Sequence, residues 1–230
     1  MNKNAPTRMT WHWLLLSLTV VLCPPLLAAE PAPSASLTLT EIVVRLQTRY
    51  QETQGFQADF VQEVESATLG YTLTSEGQVF FKKPGKMRWD FRRPVQLLVS
   101  DGTFLWLYQA AEKQVVKTPF HQAFRSHTPI SFLTGVGRLE EDFAIGLRET
   151  ADQTYVLSLD SKHDAEAVGQ LTLAVDAMTF DIVRATVSDP LGNITRLRFT
   201  NITRNIPLPD SLFQLRIPDG VDIVEPLPLS

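Results

Sequence analysis

Few of the side chains able to do chemistry stand where chemistry would need them. Beyond the first thirty residues the histidines are His121, His127 and His163. His121 and His127 are six residues apart, which matches no compact metal-ligand spacing. Glu140-Glu141-Asp142 reads as a solvated charge cluster. There is no G-x-S-x-G elbow, no phosphate-binding glycine loop and no H-E-x-x-H pair. The single cysteine, Cys23, lies in an apolar N-terminal stretch. Leu22 stands before it, where a lipidation signal needs a small residue, so Cys23 is not expected to be acylated. The sequence therefore predicts no catalytic residue, no metal site and no cofactor. Asn193-Ile194-Thr195 and Asn201-Ile202-Thr203 match the glycosylation sequon, but both fall in an expected strand and are discounted.

Lys83 is the polar residue with two readings. Strand parity points it to the side of Val79 and Phe81, an unusual place for a lysine. Either it is a solvated edge lysine beside Lys82, or it donates hydrogen bonds to a loop or helix end across an apolar interior.

The start of the chain has the layout of a secretory leader. Lys3 and Arg8 precede an apolar run at 14–22, Pro24-Pro25 breaks it, and Ala28-Ala29 offers small residues for cleavage. Residues 1–29 are expected to be a signal peptide, 30–36 a flexible tether, and 37–230 a single domain. Loss of 1–29 removes two cations and no acid, taking the formal net charge from −4 to −6. An acidic chain has no electrostatic footprint for nucleic acid.

The elements that remain are mostly strands. Leu39, Ile42, Val43, Leu46 and Tyr50 recur at helical spacing, with Thr38 or Thr40 to cap the helix and Gly55 to end it. After it, Phe56, Ala58, Phe60 and Val64 alternate with polar residues. Further strands are expected at 78–82, 87–91, 95–100, 104–108, 143–147, 155–159, 171–175, 182–187 and 194–202. Pro84-Gly85 and Asp101-Gly102 supply turns. At 128–135 Thr128 and Pro129 open a short apolar helix that carries Ile130 and Leu133 on one face.

The strands carry large apolar residues on both faces. Met87, Trp89 and Phe91 share one face against Arg88 and Asp90; Phe104, Trp106 and Tyr108 lie opposite Leu105 and Leu107. A sheet with one solvated face alternates more cleanly. Both faces are therefore expected to be covered, by the helix at 39–54 and by 120–137. Periodicity leaves open whether these aromatics fill a core or line a cavity.

Residues 76–108 (EGQVFFKKPGKMRWDFRRPVQLLVSDGTFLWLY) closely resemble the periplasmic outer-membrane lipoprotein carriers of the LolA family. Gly77, Lys83-Pro84, Arg88-Trp89, Pro94, 99–102 (VSDG), Trp106 and Tyr108 carry the likeness. Phe56-x-Ala58-x-Phe60-x-Gln62, 189–193 (DPLGN), Phe213 and 217–221 (IPDGV) extend it over roughly 37–224. The resemblance implies a mainly β fold with α: an incomplete, strongly curved antiparallel half-barrel covered by a helical lid. It implies an acyl-chain cavity lined by Val79, Phe81, Met87, Trp89, Phe91 and Trp106, with Met87 at its entrance. The lid would present Ile130, Phe132 and Leu133, latched by Lys83 where the family often has arginine. It further implies a periplasmic monomer that takes acylated lipoproteins from an inner-membrane lipoprotein-releasing ABC transporter to an outer-membrane receptor. The alternatives are that receptor itself, or a lipid-sensing regulator of the same fold.

Overall fold

Thr38 sets the start of the first element. Its hydroxyl accepts from the Glu41 backbone N–H (3.3 Å), while the Glu41 carboxylate accepts from the Thr38 N–H (2.8 Å). This reciprocal capping box satisfies two helix-end donors. The bonds from Thr38 hold the Glu41 carboxyl below its usual pKa. Helix α1 then runs Leu39–Glu52 and buries Ile42, Val43, Leu46 and Tyr50, one stripe at helical spacing. Gly55 does not end it, contrary to expectation. The helix stops at Thr53 in extended conformation, and Gly55 opens the first strand. A side chain there would press on the Ile206 carbonyl, 2.9 Å from an added Cβ.

The computed structural model describes residues 37–123, 139–151, 153–162 and 169–225. The leader, the tether, the expected helix at 128–135 with Ile130, Phe132 and Leu133, and His127 and His163 lie outside the described residues.

Twelve strands form one curved sheet: β1 Gly55–Glu65, β2 Thr72–Lys82, β3 Lys86–Arg93, β4 Val95–Asp101, β5 Phe104–Gln109, β6 Gln114–Pro119, β7 Phe143–Ala151, β8 Thr154–Ser161, β9 Gln170–Asp176, β10 Ile182–Ser188, β11 Ile194–Arg204 and β12 Asp222–Val224. Short helices α2 (Phe120–Ala123) and α3 (Leu139–Asp142) and a 3-10 turn at Asp210–Phe213 complete the described elements. The spatial order is β12-β6-β5-β4-β3-β2-β1-β11-β10-β9-β8-β7. Two antiparallel meanders thus join through the β1–β11 ladder. The sheet is open, with β7 and β12 at its ends. β12 pairs with β6 in parallel. Neither of these two paired strands was anticipated from the sequence, and β2 begins six residues before its expected start. Register shifts interrupt β1–β11, β2–β3, β7–β8 and β9–β10. Such bulges add local twist and bend, which curls the sheet.

The inner face holds two apolar clusters. α1 packs Ile42, Leu46 and Tyr50 onto Leu157, Leu159, Leu171, Leu173 and Val175 of β8 and β9. The second cluster belongs to β1, β2 and β3. Gly77 is the residue that cluster cannot replace. A Cβ there would collide with the Asp90 carbonyl and meet the Phe60 ring at 3.0 Å. We expect Gly77→Ala to cost about 1–3 kcal/mol through overpacking against backbone. Urea titration checks this: an unchanged midpoint would show that β3 yields without cost.

Candidate functional site

The register of three strands builds the most distinctive apolar surface. Phe56 stands opposite Phe81, and Phe81 opposite Met87. One step along, Ala58, Val79 and Trp89 are opposed; the next row is Phe60, Gly77 and Phe91. Residues directly opposed across a ladder share a face, so these nine positions form one grid. The small residues Ala58 and Gly77 make room for the rings. Phe60 packs on Trp89 and Phe91 with centroids 4.8 and 5.0 Å apart. Trp89 also meets Phe81 at 6.0 Å and Phe199 at 6.2 Å. Val79 and Met87 are fully buried, Phe81 and Trp89 nearly so, and Phe91 is half-buried. Met87, expected at an entrance, lies wholly inside this rack. The Trp89 indole N–H is buried without a hydrogen-bond partner among the described residues.

Five of the six expected cavity residues, Val79, Phe81, Met87, Trp89 and Phe91, therefore come together. Trp106 does not join them. It is opposite Val99, and Val99 is opposite Arg88, which places Trp106 on the outer face. There it neighbours Phe104 at 5.9 Å, whose ring lies 4.2 Å from the Lys117 ammonium. Leu105 is the β5 residue packed against the rack. Parity within β5 says which residues share a face; only the β4–β5 register says which face that is.

The outer face of the same strands is covered by a segment that periodicity did not reveal. Phe213, fully buried, belongs to the 3-10 turn that packs on β3 and β4. Lys82 donates to the Leu208 carbonyl (2.7 Å) and pairs with Asp210 (2.6 Å), which Lys86 also reaches (3.0 Å). Arg88 donates to the Leu212 carbonyl at 3.1 Å. Pro207, Pro209 and Pro218 give this segment neither a helical nor a strand period, and so no signal. A separate outer recess of about 360 Å3, on the β1–β8 side, carries Arg184, Arg196 and Arg198; Glu65 engages Arg196 at 2.9 Å.

Lys83 points to the inner face and bonds a helix end. Its ammonium donates to the carbonyls of Tyr50 (2.5 Å) and Gln51 (2.9 Å) in the last turn of α1. The last carbonyls of a helix point out of its end, and the negative end of the helix dipole favours a cation. Desolvation lowers the Lys83 pKa from the usual lysine value. The same turn is held by Arg49, which donates to the Thr179 carbonyl (3.0 Å), and by Tyr50, whose oxygen accepts the Ile182 N–H (3.2 Å). Asp181 and Arg204 form a largely buried ion pair beside it. Helix α1 is thus tied to both meanders at one end.

Residues 51–216 match the family described as outer membrane lipoprotein carrier protein LolA. The chain is 31% identical over 182 residues to the outer-membrane lipoprotein carrier protein of Methylococcus capsulatus, covering 79% of this chain and 86% of that protein. It is 30% identical over 183 residues to the carrier protein of Nitrosomonas europaea, covering 79% and 88%. Its fold is similar to that of an uncharacterized conserved protein from Thermus thermophilus, with a TM-score of 0.52 at 15% identity over 81% of this chain and 98% of that one.

Burial pushes the Tyr50 phenol up to about 12. The folded state keeps this proton longer than the unfolded chain does. Tyr50 therefore favours folding fully below pH 10, and that contribution falls by about 1.4 kcal/mol per pH unit up to its folded pKa. Tyr50→Phe should remove this alkaline slope and cost about 1–3 kcal/mol at neutral pH, because the Ile182 N–H loses its acceptor. Denaturation curves from pH 8 to 12 decide it; parallel slopes for parent and variant would contradict the assignment.

Proposed function

Because the chain belongs to the LolA family of outer membrane lipoprotein carrier proteins, we propose that it carries acylated lipoproteins across the periplasm. In this proposal it receives them from an inner-membrane lipoprotein-releasing ABC transporter and delivers them to an outer-membrane receptor. Members of this family are carriers, and the chain is not an enzyme. Residues 1–29 act as the cleaved leader, 30–36 as a tether, and the domain from 37 onward works as a monomer without a cofactor.

The observation that supports this most is the rack of Val79, Phe81, Met87, Trp89 and Phe91 on the inner face of an open sheet. Acyl chains cannot cross water unshielded, since each exposed methylene costs roughly 0.8 kcal/mol. A carrier that buried several whole chains with no opposing cost would never release them. Affinity must be a difference between cargo contacts and the carrier's own closing contacts. The proposed closing side chains are Ile130, Phe132 and Leu133, displaced as cargo enters.

Lys83 acts on the same balance. Its bonds to the end of α1 stabilise the empty, closed arrangement. Removing them with Lys83→Leu should weaken closure by about 1 kcal/mol and raise the apparent affinity for cargo roughly fivefold. Handover to the receptor then becomes harder.

Spheroplasts making a tagged, acylated lipoprotein provide the test. Added protein should bring the lipoprotein into the soluble fraction as a one-to-one complex. Lys83→Leu should also release it but pass less to outer-membrane vesicles. If the parent releases none, the carrier reading fails. If the variant releases and delivers like the parent, Lys83 has no part in closure.

A further inference from the structure

Two turns at one end of the sheet are built alike and held together. The β1–β2 turn spans residues 66–71, and the β10–β11 turn spans 189–193. The Ala67 N–H donates to the Asn193 side-chain oxygen at 3.0 Å, and a Cβ on Gly192 would sit 3.3 Å from that of Ala67. On its β3 side, β2 runs four residues past its last partner, Glu76 opposite Arg93. The joined turns and this overrun carry Leu69 (66% exposed), Tyr71 (50%), Leu73 (47%) and Leu191 (79%).

Three features decide what such a surface fits. First, from Ser66 to Ser75 there is no Asp, Glu, Lys or Arg. Second, six backbone N–H groups of the two turns bond internally. Ser66, Leu69 and Gly70 N–H groups bond within the first turn. Asp189, Gly192 and Asn193 N–H groups bond within the second. Asp189 spends both carboxylate oxygens on Asn193, which holds its pKa low. Third, these side chains stand on turn tips and a free strand end, not in a groove. A convex surface needs an acceptor that can deform. A low-dielectric acceptor further demands backbone groups with internal partners. Leucine beside tyrosine is the composition of side chains that settle at a bilayer–water boundary.

We propose that the joined β1–β2 and β10–β11 turns are a docking site for a phospholipid surface, with Leu69, Tyr71, Leu73 and Leu191 entering the boundary between headgroups and acyl chains. The chain is acidic, and the tips lack cations, so the attraction is apolar and the favoured surface zwitterionic. Contact is weak and reversible, as it is for a few side chains without a covalent lipid. It goes beyond the carrier reading, because it concerns where the protein touches a membrane and not what it carries.

The test uses the protein as secreted, freed of its leader and with it of Cys23, carrying one new thiol, either Leu69→Cys or Met178→Cys, labelled with an environment-sensitive fluorophore. Met178 is 81% exposed and sits in the β9–β10 turn at the other end of the strands, so it serves as the control. With phosphatidylcholine–phosphatidylethanolamine vesicles, the label at 69 should shift to the blue and be quenched by brominated acyl chains, equally at low and high salt. The label at 178 should not change. Adding Leu191→Ser to the labelled Leu69→Cys chain should reduce the shifted fraction about tenfold at a fixed lipid concentration. The proposal is overturned if the label at 69 ignores vesicles, or if both labels respond alike. It is equally overturned if the shift appears on concentrating the protein without lipid, which would make the tips a contact between two copies. The spheroplast assay on the parent separates the two readings: normal lipoprotein release by the parent, together with a label at 69 that ignores vesicles, would sink the docking site and leave the carrier standing.

Discussion

The register of β1, β2 and β3 is the constraint on which the inner face depends. A slip of one residue in either ladder would send every side chain of the shifted strand to the opposite face. Phe60, Gly77 and Phe91 pin that register. The rings close over a position with no side chain, and the β3 backbone comes near enough that none fits. A glycine is required here by proximity and not by an unusual backbone angle. The same close approach lets Trp89 touch Phe60, Phe81 and Phe199 together.

The two faces of the open sheet are served by different parts of the chain. α1 covers the inner face of β8 and β9. The C-terminal segment covers the outer face of β3 and β4 through Phe213 and is fastened by Lys82, Lys86 and Arg88. Lys82 and Lys83 show the division most plainly. They are adjacent in the chain and point to opposite sides, one to Asp210 and the other to the end of α1. Neither is a solvated edge lysine. Lys82 pairs with the exposed Asp210 and bonds the Leu208 carbonyl, and Lys83 bonds two carbonyls at the negative end of the α1 dipole.

The C-terminal end of α1 is bonded to the sheet at three places. Lys83, Arg49 and Tyr50 connect that end to the β2–β3 turn, to the β9–β10 turn and to the start of β10. The apolar turns at the opposite end of the strands depend on none of these contacts. Their conformation is held by bonds within and between the two turns.

Much of this was legible in the residues. The capped helix with its buried stripe, ten of the twelve strands, and the shared face of Met87, Trp89 and Phe91 follow from local periods of 3.6 and 2 and from turn residues. The ordered motifs from Phe56 to Val221 carried the family. Three things needed the tertiary structure, each because long-range pairing decides it. Trp106 lies on the outer face because the β4–β5 hydrogen-bond register, not its own strand, chooses the side. The partner of Lys83 is the end of α1, 32 residues away in sequence from its Gln51 contact. The outer cover is an irregular, proline-rich segment whose one deeply buried ring, Phe213, has no period to betray it. Local periodicity determines which residues can share a face; only the assembled sheet determines what that face meets.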